Sequence, residues 1–381
     1  RSASRIKGFH MGFALLSRQT NINFAGFRKI AYAISGLFIL IGIIAFIMNG
    51  GLRYGVDFAG GVMVQVQFEQ PIADEQVKTA LKGVNMPGLT VQQVGTEDRD
   101  YMLRFSLTNA ENQDLRDEVS SALKSSIPDN PSSIQRLETV GPKVGNDLRN
   151  MAIEALFYAV LLITVYISGR FEHSWFIAGA MALVLWGAVY GAGYLGFNRL
   201  FGVGIGLVIT LAACWKLKLN FALGAILALM HDVVVTLGIL TLMGVEIDLN
   251  VIAALLTLVG YSINDTIVVY DRIRENLRAV PADIDVKPSM ADIINKSVNQ
   301  TLSRTIMTSA TTLVASLALY LLGGSVIHDF AFTITLGVVF GTFSSVFVAS
   351  PILMAFGNVD LYHQKANKND DYERPGEHGV V

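Results

Sequence analysis

The sequence predicts an α-helical membrane bundle of about eight spans with a single α+β domain outside the membrane, and three observations carry that prediction. Of 381 residues, 52% are hydrophobic and 16% charged, well below the roughly 25% charge of soluble domains. Apolar runs recur along the chain, most of them near the ~20 residues a membrane helix needs. One long polar stretch, Gly51–Asp147, separates the first run from the rest and alternates strand and helix patterns. The net charge of −2 argues against a nucleic-acid partner. Cys214, the one cysteine, lies in an apolar run, which leaves neither a disulfide framework nor a thiolate metal site.

Residues 1–28 read as a basic N-terminal segment, and the chain opens on Arg1 rather than Met, so its numbering reads as starting inside a longer product. The first apolar run, 29–48, lacks a small-residue cleavage site after it and is a retained span rather than a signal peptide. The further spans are Leu148–Ser168, Phe176–Leu195, Leu200–Ala213, Phe221–Met243, Val251–Tyr270, Thr305–Leu322 and Phe330–Phe356, which place the bundle at 148–356. Leu200–Ala213 is the weakest, being short and glycine-rich. Lys and Arg gather in 1–28, at Arg170, at Lys216 and Lys218, and in the loop 271–303, all on one side if the spans alternate. That side is the cytoplasm. Both termini, including the tail 357–381, are then cytoplasmic, and 51–147 is periplasmic.

Within 51–147 the order is strand, helix, strand, strand, helix, strand. VMVQVQF (Val62–Phe68) alternates, ADEQVKTAL (Ala73–Leu81) has helical spacing, and LTVQQV and YMLRFSL flank the turn residues Gly95–Asp98. Asn109 is the expected cap of a second helix with period from Asp114 to Leu123, and SIQRLETV closes the set. That order is the ferredoxin-like split motif. A weak internal echo follows: LLITVYISGRFEHSWFIAGAMAL resembles LVITLAACWKLKLNFALGAILAL further on, as a duplicated hairpin would.

Ionisable groups inside the spans are the candidate functional residues, because a carboxylate at mid-membrane costs about 2.5–3.5 kcal/mol on insertion scales. Asp265 sits in the apolar run Val251–Tyr270, with Ser262 and Asn264 nearby and Gly260 thinning the helix for a neighbour. Arg304, at the head of the next run, is its expected partner. An acid beside an arginine gains a proton only when the pair opens, which favours a proton-gated switch over the rival reading, a static ion pair. Asp232 is the deepest acid, with Thr236 at i+4 as a hydrogen-bond donor; His231 precedes it and is expected on another face. Asp232 reads as a secondary proton site or a pin between helices. Glu154 lies inside a span, while His328 and Asp329 sit at the outer mouth of the last one. Gly337 and Gly341, with Ser344 and Ser345 next along, read as a packing surface. No P-loop, catalytic triad or metal cluster stands out, so neither an enzyme nor a cofactor is expected.

GLRYGVDFAGG (Gly51–Gly61), VGPKVGNDL, RFEHSW, FALGAILALMHDV, GYSINDTIVVYDRIREN and TLSRTIMTS follow one another along nearly the whole chain. In that order they resemble the SecF branch of the SecD/SecF protein-export family. The resemblance implies half of an RND-superfamily machine, with six spans and a ferredoxin-like periplasmic domain. It implies that Asp265 and Arg304 are the proton-linked pair, and that Gly55, Val56, Asp57, Phe58, Gly60 and Gly61 serve structure. It further implies an obligate SecD partner, the SecYEG channel, unfolded preproteins as clients, YajC as an accessory, contact with membrane lipids, and a bacterial inner-membrane location. Proton-motive force would drive late translocation and release of preproteins. Residues 175–219 depart from the family pattern as an extra hairpin, which adds two spans to the usual six. The alternative from another class is half of a proton-coupled exporter of small molecules or lipids.

Overall fold

The computed structural model describes residues 20–84, 86–94, 98–106, 115–172, 175–194, 199–281 and 288–356. The first helix, α1 (Phe24–Met48), starts where the Asn23 side chain accepts the Gly26 N–H, the expected job of an N-cap asparagine. A one-turn α2 (Val56–Ala59) leads into the polar domain. There β1 (Gly61–Phe68), α3 (Asp74–Ala80), β2 (Thr90–Val94), β3 (Asp100–Phe105), α4 (Leu115–Ser126) and β4 (Ser132–Val140) follow in the order the sequence predicts. The strands form one antiparallel sheet of order β2-β3-β1-β4. Alternation in β1 turns Val62, Val64, Val66 and Phe68 onto the helices, where they meet Val77, Leu81, Val119 and Leu123. The predicted Asn109 cap and most of the Gly95–Asp98 turn lie outside the described residues.

Past the domain the chain is helical: α5 (Pro142–Glu172), α6 (Trp175–Tyr194), α7 (Arg199–Lys216), α8 (Asn220–Leu242), α9 (Leu249–Arg278), α10 (Met290–Leu322) and α11 (Ser325–Ser344). A π turn, Ser345–Ala349, joins α11 to α12 (Ser350–Phe356). Among the described residues, six helices are long and apolar enough to cross a membrane: α1, α5, α8, α9, α10 and the α11–α12 unit. The expectation of eight spans is therefore met for six. The apolar described stretches of α6 and α7, Trp175–Gly187 and Phe201–Lys216, are shorter.

Close approach between helices comes from small residues, since van der Waals contact rather than the hydrophobic effect drives packing in lipid. A Cβ at Gly42 of α1 would stand 2.8 Å from the Gly238 Cα of α8. Gly337 and Gly341 of α11 face α9, where added Cβ atoms would meet Leu258 at 2.5 Å and Ser262 at 3.2 Å. The packing surface predicted for α11 is thus present. Gly260, expected to admit a neighbour, has no atom within 4 Å of its would-be Cβ and faces outward. Its position in α9 turns it away from the seam that Leu258 and Ser262 share with α11.

Where α6 and α7 leave the bundle, the helices on either side of them stay joined. The Glu172 carboxylate at the end of α5 accepts the Phe221 N–H at the start of α8, at 3.1 Å, and Phe171 stacks on Phe221 at 5.3 Å. Arg170 bonds Asp271 of α9 at 2.5 Å, and Arg274 donates to the Arg170 carbonyl at 3.1 Å. The α6–α7 hairpin is looped out of a junction that closes without it.

At the other end, the domain is clamped to α9. Gly55 donates to the Ile247 carbonyl and Ile247 to the Arg53 carbonyl, while the Asp57 carboxylate accepts the Leu249 N–H at 3.0 Å. Gly60 and Gly61 take φ of 75° and 130°, and Cβ atoms there would run into Pro142 at 2.9 Å and the Phe105 carbonyl at 2.8 Å. Only glycine serves where backbone approaches backbone this closely. Phe58 packs with Ala152, Leu240, Val251 and Leu255. Arg104 of β3 adds an ion pair with Glu246 of the α8–α9 loop. Burial lowers the Arg104 guanidinium from its ordinary value, against the opposing charges of Asp329 and Asp248.

Asp248 caps α9 by accepting the Val251 N–H at 2.8 Å. Burial raises its carboxyl above the ordinary value; the Val251 bond opposes this and the nearby Asp57 charge adds to it. An acid raised in the folded state lends stability that is complete below the unfolded-state value and lost as pH rises through the folded one. Asp248→Asn keeps a capping side chain and removes the titration. Relative to the parent, it should be more stable at neutral pH, and the advantage should shrink on acidification from there; thermal unfolding of the full chain at several pH values measures both.

Candidate functional site

The two buried acids of the bundle among the described residues, Asp232 and Asp265, each gather a cluster of polar groups built on α9 and α11. Asp232 of α8 is fully buried, at 0% exposure, where α1, α8, α9 and α11 meet. Its Oδ2 accepts Ser262 Oγ of α9 at 2.6 Å and Ser344 Oγ of α11 at 2.8 Å. Its Oδ1 lies 2.9 Å from His231 Nδ1, and His231 Nε2 lies 3.0 Å from Ser35 Oγ of α1. With Nδ1–H donating to the carboxylate, the neutral imidazole accepts from Ser35 at Nε2; the cation donates at both nitrogens.

Three expectations are corrected there. His231 and Asp232, neighbours expected on separate faces, bond each other, because Nδ1 lies near the backbone and both side chains reach into one four-helix junction. Thr236 does not serve Asp232; its hydroxyl is buried with no partner among the described residues. Ser262, expected to add polarity near Asp265, donates to Asp232 instead.

The second cluster surrounds Asp265, only 2% exposed. Its Oδ1 accepts Thr308 Oγ1 at 3.2 Å and its Oδ2 accepts Ser309 Oγ at 3.3 Å, both from α10. Arg304 is exposed. Among the described residues no ion pair joins Arg304 to Asp265, although its charge is near enough to act on the carboxylate through space. The pairing expected from matched depths is not formed, because Thr308, one turn of about 5.4 Å further along α10, is level with Asp265. A long cationic side chain a turn nearer the helix start snorkels outward. Asn264 is exposed and turns away from the cluster.

The two acids are held differently. Ser262 and Ser344 give Asp232 short bonds, and His231 adds another. The donors of Asp265 are shared: the single proton of Thr308 Oγ1 also faces the carbonyls of Arg304 at 3.1 Å and Thr305 at 3.0 Å. Ser309 Oγ lies 2.6 Å from Thr342 Oγ1 of α11, whose own proton goes to the Val338 carbonyl at 2.7 Å. One proton cannot satisfy two acceptors. Ser309 therefore donates to Asp265 or to Thr342, and the choice follows the charge on Asp265.

Ser35, Thr308, Ser309, Thr342 and Ser344 are the participants that sequence reasoning missed. Their signal was spacing: Ser344 continues the small-residue stripe of Gly337 and Gly341, and Thr308 and Ser309 stand one turn beyond Arg304. Elsewhere, His328 and Asp329 bond each other at 3.1 Å near the domain end of the bundle, where they are at least partly exposed, and Glu154 is half-buried on α5. Among the described residues no group of acids, histidines and cysteine is placed to hold a metal.

Comparison with known proteins gives the arrangement relatives. The family model of protein export membrane protein SecD/SecF, C-terminal, matches twice, over residues 119–212 and 196–359, and the SecD/SecF GG motif model matches 45–72. The two matches overlap at 196–212, largely within α7. Proteins named protein translocase subunit SecF are similar over most of their length. That of Desulfurispirillum indicum is 39% identical over 336 residues, covering 87% of this chain and 91% of its own. That of Calditerrivibrio nitroreducens is 35% identical over 340 residues, covering 89% and 95%. Among solved structures, SecDF from Thermus thermophilus, described as a translocon-associated membrane protein, superposes with a TM-score of 0.63 at 32% identity. The match covers 88% of this chain and 38% of that one. SecDF in its super-membrane-facing form gives 0.51 at 30% identity, covering 93% and 40%. The chain therefore spans about two-fifths of those longer proteins.

Shortening or removing a donor should separate the clusters. Ser262→Ala removes a short interhelical bond to a buried acid and should cost the bundle about 1 kcal/mol. Thr308→Ala should cost less, because that proton is divided among three acceptors. Unfolding of the full chain in detergent, followed by circular dichroism, measures the order.

Proposed function

This chain belongs to the SecD/SecF family of protein-export membrane proteins, and from that premise we propose that it is the SecF-like half of an assembly with SecD that uses the proton-motive force to promote late translocation and release of preproteins through SecYEG, with YajC as an accessory. Its work is transport of polypeptide and not covalent chemistry. The reading places the chain in the bacterial inner membrane with both termini cytoplasmic and residues 51–147 periplasmic. It takes α6 and α7 as two further spans, eight in all, since a membrane-crossing pair preserves the direction of every later helix. The β-α-β-β-α-β order and the antiparallel β2-β3-β1-β4 sheet support a ferredoxin-like domain.

The observation that carries the mechanism is a buried carboxylate, Asp265, held by hydroxyls whose protons have other acceptors. Ionised, Asp265 draws Thr308 and Ser309 toward it. Protonated, it becomes a donor, Thr308 returns to the backbone carbonyls and Ser309 turns to Thr342. Each exchange changes a contact between α9, α10 and α11. Arg304, exposed at the cytoplasmic end of this group, supplies a positive charge that favours ionised Asp265 and speeds return of the proton to that side. Asp232, held by short bonds and a histidine, acts as the pin about which α9 and α11 move. From Asp265 to Leu249, α9 is a rod of about 24 Å at 1.5 Å per residue, and its far end is clamped to the domain through Asp57. A shift of α9 at the acid therefore reaches the periplasmic domain. One charge crossing 100 mV supplies about 2.3 kcal/mol, enough to bias a motion between states of similar energy.

Asp265→Asn removes the titration and leaves the volume. It should abolish the gradient-stimulated part of preprotein export in reconstituted vesicles containing SecD and SecYEG, without loss of folded protein. Asp232→Asn should retain gradient stimulation and lower thermal stability. Export with unchanged gradient dependence in Asp265→Asn would sink the proton-switch reading.

A further inference from the structure

We propose that the cavity bounded by α5, α7, α8 and α9 binds a membrane phospholipid, with an acyl chain between the helices and the phosphate at Arg149. The cavity measures about 290 Å³ and is lined by apolar side chains that include Leu156, Val160, Val203, Leu207, Leu237 and Leu255. It occupies the half of the bundle nearest the domain. From Arg149 to Val160 along α5 is about 16 Å, close to one leaflet of a hydrocarbon core about 30 Å thick.

Among the described lining residues Arg149 is the only charged one, and it stands in the second turn of α5, at the end nearest the domain. Its guanidinium lies over the Tyr54 ring at 5.4 Å and donates through Nη2 to Asn146 Oδ1 at 3.0 Å. Its Nε is buried and has no partner among the described residues. A cationic N–H shielded from water and lacking an acceptor is costly, and a phosphate oxygen is the acceptor that the planar guanidinium suits. An apolar slot one leaflet deep, with an arginine at headgroup level, matches a glycerophospholipid in both parts.

The second wall comes from α7, through Val203 and Leu207. That helix belongs to the looped-out hairpin, beside a junction that Glu172 and Phe221 close without it. The hairpin leans on α5 and α8 without filling the space between them, so it narrows that space to a half-open slot. Retaining a lipid there gives the extra hairpin a task that the export mechanism does not otherwise assign to it.

The test uses the full chain in nanodiscs of phosphatidylethanolamine and phosphatidylglycerol, with a phospholipid carrying a diazirine in its acyl chain and a diacylglycerol carrying the same group. Crosslinks from the phospholipid should map to peptides of α5 and α7, and native mass spectrometry should show a single retained phospholipid per chain. Arg149→Gln should lower phospholipid labelling several-fold and leave diacylglycerol labelling unchanged. Leu207→Trp, which fills the slot, should lower both; folding of each variant is checked by gel filtration and thermal unfolding. If Leu207→Trp does not fold, Arg149→Gln still decides. Labelling confined to outer helix faces, or no retained lipid, would mean that the apolar cavity stays empty and would overturn the proposal. Equal phospholipid labelling in Arg149→Gln would overturn the phosphate contact.

Discussion

A carboxyl group in the apolar interior of a helix bundle has to be met by donors from other helices, and the bundle is arranged around that requirement at two places. Asp232 and Asp265 lie on α8 and α9; donors reach them from α9, α10 and α11, and Ser35 of α1 meets Asp232 only through His231. Hydroxyls are short, so their helices must come close. That is why glycines line the same seams: Gly341 lets α11 press on Ser262, and Gly42 and Gly238 bring α1 onto α8. The π turn at Ser345–Ala349 follows directly after Ser344, and Ser345 there meets Thr266 of α9 at 2.9 Å. Such turns often sit at functional positions in helices.

The difference between the two acids is one of commitment. A donor with a single acceptor holds geometry; a donor with several acceptors can be released at little cost. Asp232 has mostly the first kind, since Ser262 serves it alone and only Ser344 also reaches a second acceptor, the Gly341 carbonyl at 3.1 Å; Asp265 has the second. The same interior can therefore contain a fixed point and a movable one on adjacent helices, with α9 common to both. Because α9 is also the helix whose start is bonded to the polar domain, it joins buried charge to external surface through one continuous element.

The looped-out hairpin shows how a membrane protein can gain elements without disturbing an older contact. Glu172 caps α8 and Phe171 stacks on Phe221, so the ends of α5 and α8 stay adjacent although more than forty residues separate them in the chain. A pair of helices inserted at one end leaves the order of the remaining ones intact.

Much of the fold was legible in the chain itself, because apolar run length and strand alternation are properties of consecutive residues. The helices α1, α5 and α8 to α11, the β-α-β-β-α-β order and the Gly337–Gly341 seam all follow from such local patterns. So does the place of Asp232 and Asp265 as buried acids of the bundle, since an acid in an apolar run is conspicuous. Partner assignment was not legible. Arg304 was the nearest base in depth, yet a single helical turn puts Thr308 level with Asp265; Ser262 sat beside Asp265 in sequence but turns to Asp232; His231, judged to face elsewhere, bonds its own neighbour. Sequence spacing determines where a side chain leaves its own helix. Which helix stands opposite, at what rotation and how near, is set by packing across seams of small residues, and a hydrogen bond of about 3 Å is decided by that alone.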